Sequence, residues 1–154
     1  MTQRLNPFTA NPSAMQPWIE IGKTIQTNGL EPRLCELVMT RAAQINGCTF
    51  CIHHHINDAR KMGETEDRLH LLSAWRESVL YSERKRAALE WTEALSLVSQ
   101  THAPDAAYEA LCKHFSEQEQ VQLTLLIALT NAWNRINIGF RRTHPSEVKV
   151  AAGR

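Results

Sequence analysis

Strand signals are nearly absent from this 154-residue chain: period-2 alternation never lasts, and glycine and proline fall mostly between helical patterns. That excludes a sheet-based fold. Charge of one sign is missing too, with 17 Lys and Arg against 16 Asp and Glu and a net charge of +1. No basic stripe with interleaved aromatics is present, which argues against nucleic acid as a partner. No apolar run reaches membrane-spanning length. The N-terminal "MTQRLNPFTANPSAMQPW" lacks the charged-then-apolar layout of a signal peptide. Repeats, low-complexity stretches and linkers are also lacking. Four cysteines in a chain of this size are too few for a disulfide scaffold. The expectation is a soluble, cytoplasmic protein of one domain, 1–154, with an ordinary globular mix of 43% apolar and 21% charged residues.

What is present reads as helices. Residues 1–12 are expected to form an irregular arm, followed by a helix over 14–26. Pro32 in a first turn and Asn46-Gly47 at the end bound a helix over 32–46. A helix over 48–62 stops at Gly63, and "ETEDRLHLLSAW" predicts a short helix with a capping box at Thr65. "SERKRAALEWTEALSLVSQ" is read as one helix capped by Ser82, and "APDAAYEALCKHF" as the next. The long apolar "SEQEQVQLTLLIALTNAWNRINIGF" is expected to be the central buried helix. The tail, 141–154, reads as irregular. The fold class is all-α, a helical bundle.

The chemistry-bearing stretch is "NGCTFCIHHH", residues 46–55. On a helical wheel Cys48, Cys51, Ile52, His55, Ala59 and Met62 share one face. His53, Asn57 and Arg60 point away, and His54 sits at a boundary beside Asp58 and Lys61. Of the three histidines only His55 shares the cysteine face. Glu36 lies in "RLCELVMTRAAQI", a helix apolar nearly all round, where a carboxylate is costly unless paired or protonated. Two readings of Glu36 stand at this point: a surface ion pair with Arg33, or a buried carboxylate reaching across the tight Asn-Gly turn to His55.

A thiol enzyme needs such groups. The thiolate is the nucleophile, and a free cysteine titrates at about 8.5, so a base one turn along helps. A carboxylate behind the base fixes its tautomer. A second cysteine resolves a sulfenic acid into a disulfide. The one-turn spacing, and the lack of any other close pair, predict a Cys48–Cys51 disulfide on oxidation.

The run "ELVMTRAAQINGCTFCIHHHINDARKMGETEDRLHLLSAWRES" resembles the core of the AhpD-like alkylhydroperoxidases, within the carboxymuconolactone decarboxylase superfamily. The motif is a glutamate, a twelve-residue step to CxxC, and a histidine four after the second cysteine. "SAWRE", "SERKRAAL" and "NAWNRIN" match the single-domain branch, so the likeness covers about residues 28–140. It implies the family's all-α fold, assembly as homo-oligomers, and thiol-dependent reduction of a small-molecule hydroperoxide with a dithiol or protein reductant and no cofactor. It further implies that Cys51 is peroxidatic and Cys48 resolving, and that Glu36 and His55 form a proton relay. The chain departs from the best-known members at Phe50, where they carry a histidine; this bears on substrate, rate and reductant.

Which sulfur attacks is also a physical question. Cys48 at the helix start gains a dipole effect of about 0.3–1 kcal/mol. Cys51 lies one turn from a base, and a paired imidazole shifts a thiol by several pKa steps of about 1.4 kcal/mol each. The base outweighs the dipole, which favours Cys51. The rival readings are a zinc site built from Cys48, Cys51, His54 or His55 and Glu36, a decarboxylase without redox chemistry, and a non-enzymatic redox sensor. Zinc sites usually draw a second ligand pair from elsewhere, whereas Cys35 and Cys112 are single and read as small core residues. Trp75, Trp91 and Trp133 read as core or interface aromatics, with Trp75 and Trp133 as candidate pocket walls. Met62 reads as packing, Arg76 and Arg135 as partners for buried carboxylates, and His70, His102, His114 and His144 as surface or satisfied histidines.

Overall fold

The computed structural model describes residues 2–27 and 29–144, and among these every regular element is helical. The chain enters through a single turn, α1 (Pro7–Ala10), and α2 (Pro12–Gln26). Asn6 and Asn11 cap these two starts through their side chains, each followed by proline at the first helical position. The arm expected to be irregular over 1–12 therefore holds a helical turn, and α2 begins two residues earlier than the apolar pattern suggested. The Arg4 backbone N–H donates to the Phe140 carbonyl at 3.0 Å, tying the arm to the far end of the chain.

α3 (Pro32–Asn46) runs between the predicted boundaries. Gly47 closes it at φ 69°, ψ 31°, the left-handed region that favours glycine. The Gly47 and Cys48 N–H groups return to the Gln44 and Ala43 carbonyls at 3.2 and 3.0 Å, a Schellman closure. α4 (Thr49–Lys61) starts at once, with Cys48 as its N-cap. One residue thus ends one helix and opens the next, which forces α3 and α4 side by side.

α5 (Glu66–Leu71) passes into a 3-10 turn over Leu72–Glu77. Thr65 accepts from the Arg68 N–H, but the third helical residue is arginine, so no reciprocal box forms. The Thr65 N–H is met by the Glu64 carboxylate instead, at 2.9 Å. The reciprocal box is at Ser116 and Glu119, opening the last helix. The predicted single helix from Ser82 is split into α6 (Glu83–Ser96) and α7 (Val98–Thr101), after which His102 and Ala103 take positive φ. α8 (Asp105–Cys112) and α9 (Glu117–Gly139) complete the chain.

The central helix is α3, not α9. Leu37, Val38, Ala42 and Ala43 on α3 are fully buried, and α3 packs on α4, α6 and α9. One face of α3 joins the main core with α6, α8 and α9 through Leu34, Val38 and Met39. Leu37 joins a second cluster with Leu72, Trp75 and Leu89, and Ala43 packs against Cys48 and Cys51. α9 keeps an outer face, with Val121 and Leu125 exposed one turn apart. Among the described residues no helix is long and apolar enough to cross a membrane. Residues 141–144 hold no helix, and the rest of the expected tail lies outside the described residues.

Candidate functional site

α3 is buried from Leu34 to Thr40, so Glu36 in its second turn is only 8% exposed. The Gly47–Cys48 turn lays α4 beside it and brings His55 across: Nδ1 of His55 lies 3.0 Å from Oε2 of Glu36. Of the two readings of Glu36, the geometry is that of the buried carboxylate facing the neighbouring helix. An ionised carboxylate only accepts, so this contact suits the tautomer with the proton on Nδ1 and Nε2 free as the other ring nitrogen.

Cys48 and Cys51 are joined as a disulfide, with Cα atoms 5.3 Å apart. Both are buried, at 2% and 3% exposure. Cys48 is not inside the helix, as the wheel assumed, but at its N-cap, where Sγ accepts from the Cys51 N–H at 3.3 Å. Cys51 and His55 border one cavity of about 210 Å³. Its apolar wall comes from Phe8, Ile19, Met39, Leu126, Leu129 and Trp133, so the N-terminal turn and the long helix both contribute. Phe8 and Trp133 stack with ring centroids 6.3 Å apart. A second cavity of about 220 Å³ borders Cys48 and shares Phe50, Asn137 and Arg142 with the first. The two cysteines therefore border different cavities.

The other histidines of the triplet go elsewhere. His53 is within 2.8 Å of the Asn57 amide and packs against the buried His144 ring. His54 pairs with Asp58 at 3.6 Å, at the boundary position, and reaches the cavity edge. Met62 is exposed. Cys35 is buried, and burial, with the Glu36 charge adding to it, pushes its thiol up to about 11. Cys112 is exposed, which corrects its expected place in the core; it falls at the end of the short α8, where the apolar face has run out. Among the described residues no three His, Cys, Asp or Glu side chains are gathered so as to hold a metal ion.

Trp133 lines the Cys51 cavity, and Trp75 does not. The Trp75 indole instead donates to Glu93 at 2.8 Å, and Arg41 and Arg76 reach the same carboxylate at 2.8 and 2.7 Å. Arg135 has no carboxylate among its hydrogen bonds; it donates to the Asn131 carbonyl one turn back, at 2.7 Å.

Two groups escaped the sequence reading. Asn137, buried on α9, donates its amide to Cys51 Sγ at 3.3 Å. It belongs to a stripe, Asn131, Asn134 and Asn137, of which the first two accept from the Asn46 amide at 2.9 Å each. Three buried amides at spacing three on an apolar helix were the available signal, because burying a polar group demands a partner. Arg142 was missed because it follows the helix, in a stretch read only as tail.

The family model for the carboxymuconolactone decarboxylase family matches residues 12–94. The uncharacterized protein YdfG of Bacillus subtilis is 39% identical over 138 residues, 90% of this chain and 94% of that protein. A crystal structure of a protein of unknown function from Agrobacterium tumefaciens, described as a candidate antioxidant defence protein AhpD, is 42% identical. It superposes with a TM-score of 0.92 over 94% of this chain and 99% of its own. An uncharacterized peroxidase-related protein with an AhpD core, from Ralstonia eutropha, shares the fold at 17% identity and a TM-score of 0.80, over 91% of this chain and 75% of that one.

Proposed function

The chain belongs to the carboxymuconolactone decarboxylase family, and from that footing we propose that it is a thiol-dependent peroxidase of the AhpD-like kind, reducing small hydroperoxides through Cys51 and Cys48. The observation that carries this reading is one cavity bordered by both a redox-active sulfur and a histidine whose far nitrogen is held by a buried carboxylate.

In the reduced protein His55 accepts the Cys51 proton, and Glu36 stabilises the imidazolium that forms. The Cys51 thiolate attacks the hydroperoxide oxygen distal to the organic group. The O–O bond breaks, and the proton on His55 passes to the leaving alkoxide, which departs as alcohol. Cys51 is left as a sulfenic acid. Cys48 then attacks the Cys51 sulfur, its thiol proton leaves with the hydroxide as water, and the disulfide forms. The Asn137 amide, which touches the Cys51 sulfur, holds it in register with the cavity. A dithiol or protein reductant returns both thiols, two electrons per turnover, which suits a reducing cytoplasmic setting. Neither a metal nor an organic cofactor takes part in this scheme. The adjacent exposed apolar residues Val121 and Leu125 support assembly with further copies of the chain.

The test counts free thiols before and after peroxide in the wild type and in each single cysteine variant. The expected result is loss of two thiols in the wild type, and a sulfenic acid on Cys51, captured by a sulfenate-selective probe, in Cys48→Ser. A sulfenic acid on Cys48 in Cys51→Ser, formed at the wild-type rate, would reverse the roles. Thiols that survive excess hydroperoxide in the wild type would remove the peroxidase reading.

A further inference from the structure

The half-buried arginines of this protein have clear partners. Arg41 pairs with Glu93, Arg68 with Glu64, and Arg84 with Glu31 and Glu119. Arg86 donates to the Trp75, Arg76 and Ser78 carbonyls. Arg142 differs. Its guanidinium meets no carboxylate among the described residues, and of its five N–H donors one makes a long 3.5 Å contact to Asn137 Oδ1. Its planar group lies 3.9 Å over the Phe50 ring and 5.1 Å from the Phe8 ring. Aromatic faces satisfy a cation in part. Apart from that long Asn137 contact, they leave the in-plane N–H edge, the edge that binds carboxylates in pairs of bonds, without an acceptor among the described residues.

The position of this edge is specific. Arg142 borders the cavity that Cys51 and His55 share. Its backbone N–H donates to the Asn137 carbonyl at 2.9 Å, and the Asn137 side chain touches the Cys51 sulfur. Arg142 is thus held at a set distance from the reacting atom by one intervening residue. Burial pushes its guanidinium below the ordinary arginine value, which fits a charge short of a counterion. Apolar wall lies within the same cavity, on Ile19, Leu129 and Trp133. At about 210 Å³ the space falls below the range of about 300–1,000 Å³ typical of drug-sized ligands, so it suits one ring or a short chain.

We propose that Arg142 is an anion-recognition residue of the Cys51 cavity, and that the hydroperoxides taken there carry a carboxylate at the end remote from the peroxide. This rests on the peroxidase reading for its chemistry, but the binding half stands without turnover. The apolar body lies along the α2–α9 wall, the hydroperoxide meets Cys51, and the carboxylate takes two N–H bonds from Arg142.

The experiment has a binding arm and a kinetic arm, both on the full chain. In the first, the oxidised protein is titrated calorimetrically with 4-isopropylbenzoate and with its neutral amide. The carboxylate is expected to bind about tenfold tighter or better, with the difference lost in Arg142→Gln and partly kept in Arg142→Lys. In the second, kcat/KM is compared for cumene hydroperoxide and its para-carboxylate. The wild type is expected to favour the carboxylate by a similar factor, a ratio that falls towards one in Arg142→Gln. Equal binding of carboxylate and amide by the wild type overturns the proposal whatever the variants do, and so does a preference that survives in Arg142→Gln. Failure of both hydroperoxides to oxidise the thiols, with the binding difference intact, counts against the peroxidase reading and leaves anion recognition supported.

Discussion

Two carboxylates sit against the same central helix and meet opposite fates. Glu93, on α6, is met by Arg41, Arg76 and the Trp75 indole. Glu36, on α3 itself, is met by His55 alone among the bonds it makes. Both side chains are largely out of solvent, at 17% and 10%. The difference is in the partner. Arginine never gives up its proton in a protein, so the Glu93 cluster holds charge in place and can move none. Imidazole gains and loses a proton in the working range, and the far side of His55 reaches a cavity with a sulfur in it. Glu93 borders neither of the two cavities that flank the disulfide. Burial and a counterion are common to both carboxylates; a titratable partner bordering a cavity is what sets Glu36 apart.

This contrast can be broken most sharply at the proposed Glu36–His55 relay. His55→Ala is expected to slow peroxide-driven thiol oxidation near neutral pH by about a hundredfold, and Glu36→Gln by about tenfold or more, since a positioned base contributes on the order of 10²–10⁴. Stopped-flow thiol consumption measures both, and Glu36→Gln is expected to leave global stability little changed. A rate within twofold of wild type in His55→Ala would mean that Cys51 reacts without it.

Glu93→Gln is the mirror experiment. Removing the charge leaves Arg41 and Arg76 short of a partner, at a cost of about 2 kcal/mol, below the roughly 3–5 kcal/mol for a fully buried pair because Arg76 is half exposed and screened by solvent. Urea unfolding reads this as a lower midpoint at constant slope. Thiol oxidation is expected to stay within twofold; a tenfold loss would erase the distinction between the two carboxylates.

The same pair predicts a pH effect of definite sign. Burial alone would push the Glu93 carboxyl up, but the Trp75 and Arg41 hydrogen bonds and the Arg41 and Arg76 charges outweigh it and hold the group below its usual range. A depressed carboxyl stabilises fully above its unfolded value, about 4.3, and that stability fades as pH falls through the lower folded value. The wild type is therefore expected to lose more of its urea midpoint between pH 6 and pH 3 than Glu93→Gln does. Parallel curves would detach Glu93 from acid sensitivity. The smallest effect belongs to His53→Ala. His53 bonds Asn57 and packs on His144, away from the relay, so thiol oxidation is expected to change by less than twofold. Equal losses at His53 and His55 would refute the helical-face argument.

Local chemistry was legible in the sequence. Pro32 and Gly47 bound α3, and a carboxylate inside an apolar helix one tight turn from CxxC and His55 pointed at a buried partner. What stayed hidden was set by groups distant in the chain. Asn137 lies 86 residues from the sulfur it touches, and no period along α9 encodes which end of the helix meets Cys51. The long apolar run made α9 look central, although the unbroken burial of α3 from Leu34 to Thr40 decides the matter and depends on how α3, α4, α6 and α9 meet. The break after Ser96 is a backbone event at Leu97, and the stop of α7 falls on His102 and Ala103, two residues at positive φ with no glycine to announce them. Arg142 looked like tail because a polar residue after a helix is usually solvated, whereas the Phe8 and Phe50 rings and Asn137 hold it inward.

The cap of α4 gives the protein an indicator of its own oxidation state. The acceptor for the Cys51 backbone N–H is the Cys48 sulfur, which is half of the redox pair. A disulfide sulfur and a free thiol sulfur differ in bonding, electron density and position, so the bond to this N–H changes when the pair is reduced. The electrons gained or lost at the sulfurs are therefore registered at one main-chain proton. In a ¹H–¹⁵N spectrum the Cys51 cross-peak should take two positions, one for each state of the pair, and the relative intensities would read the fraction reduced with no added dye.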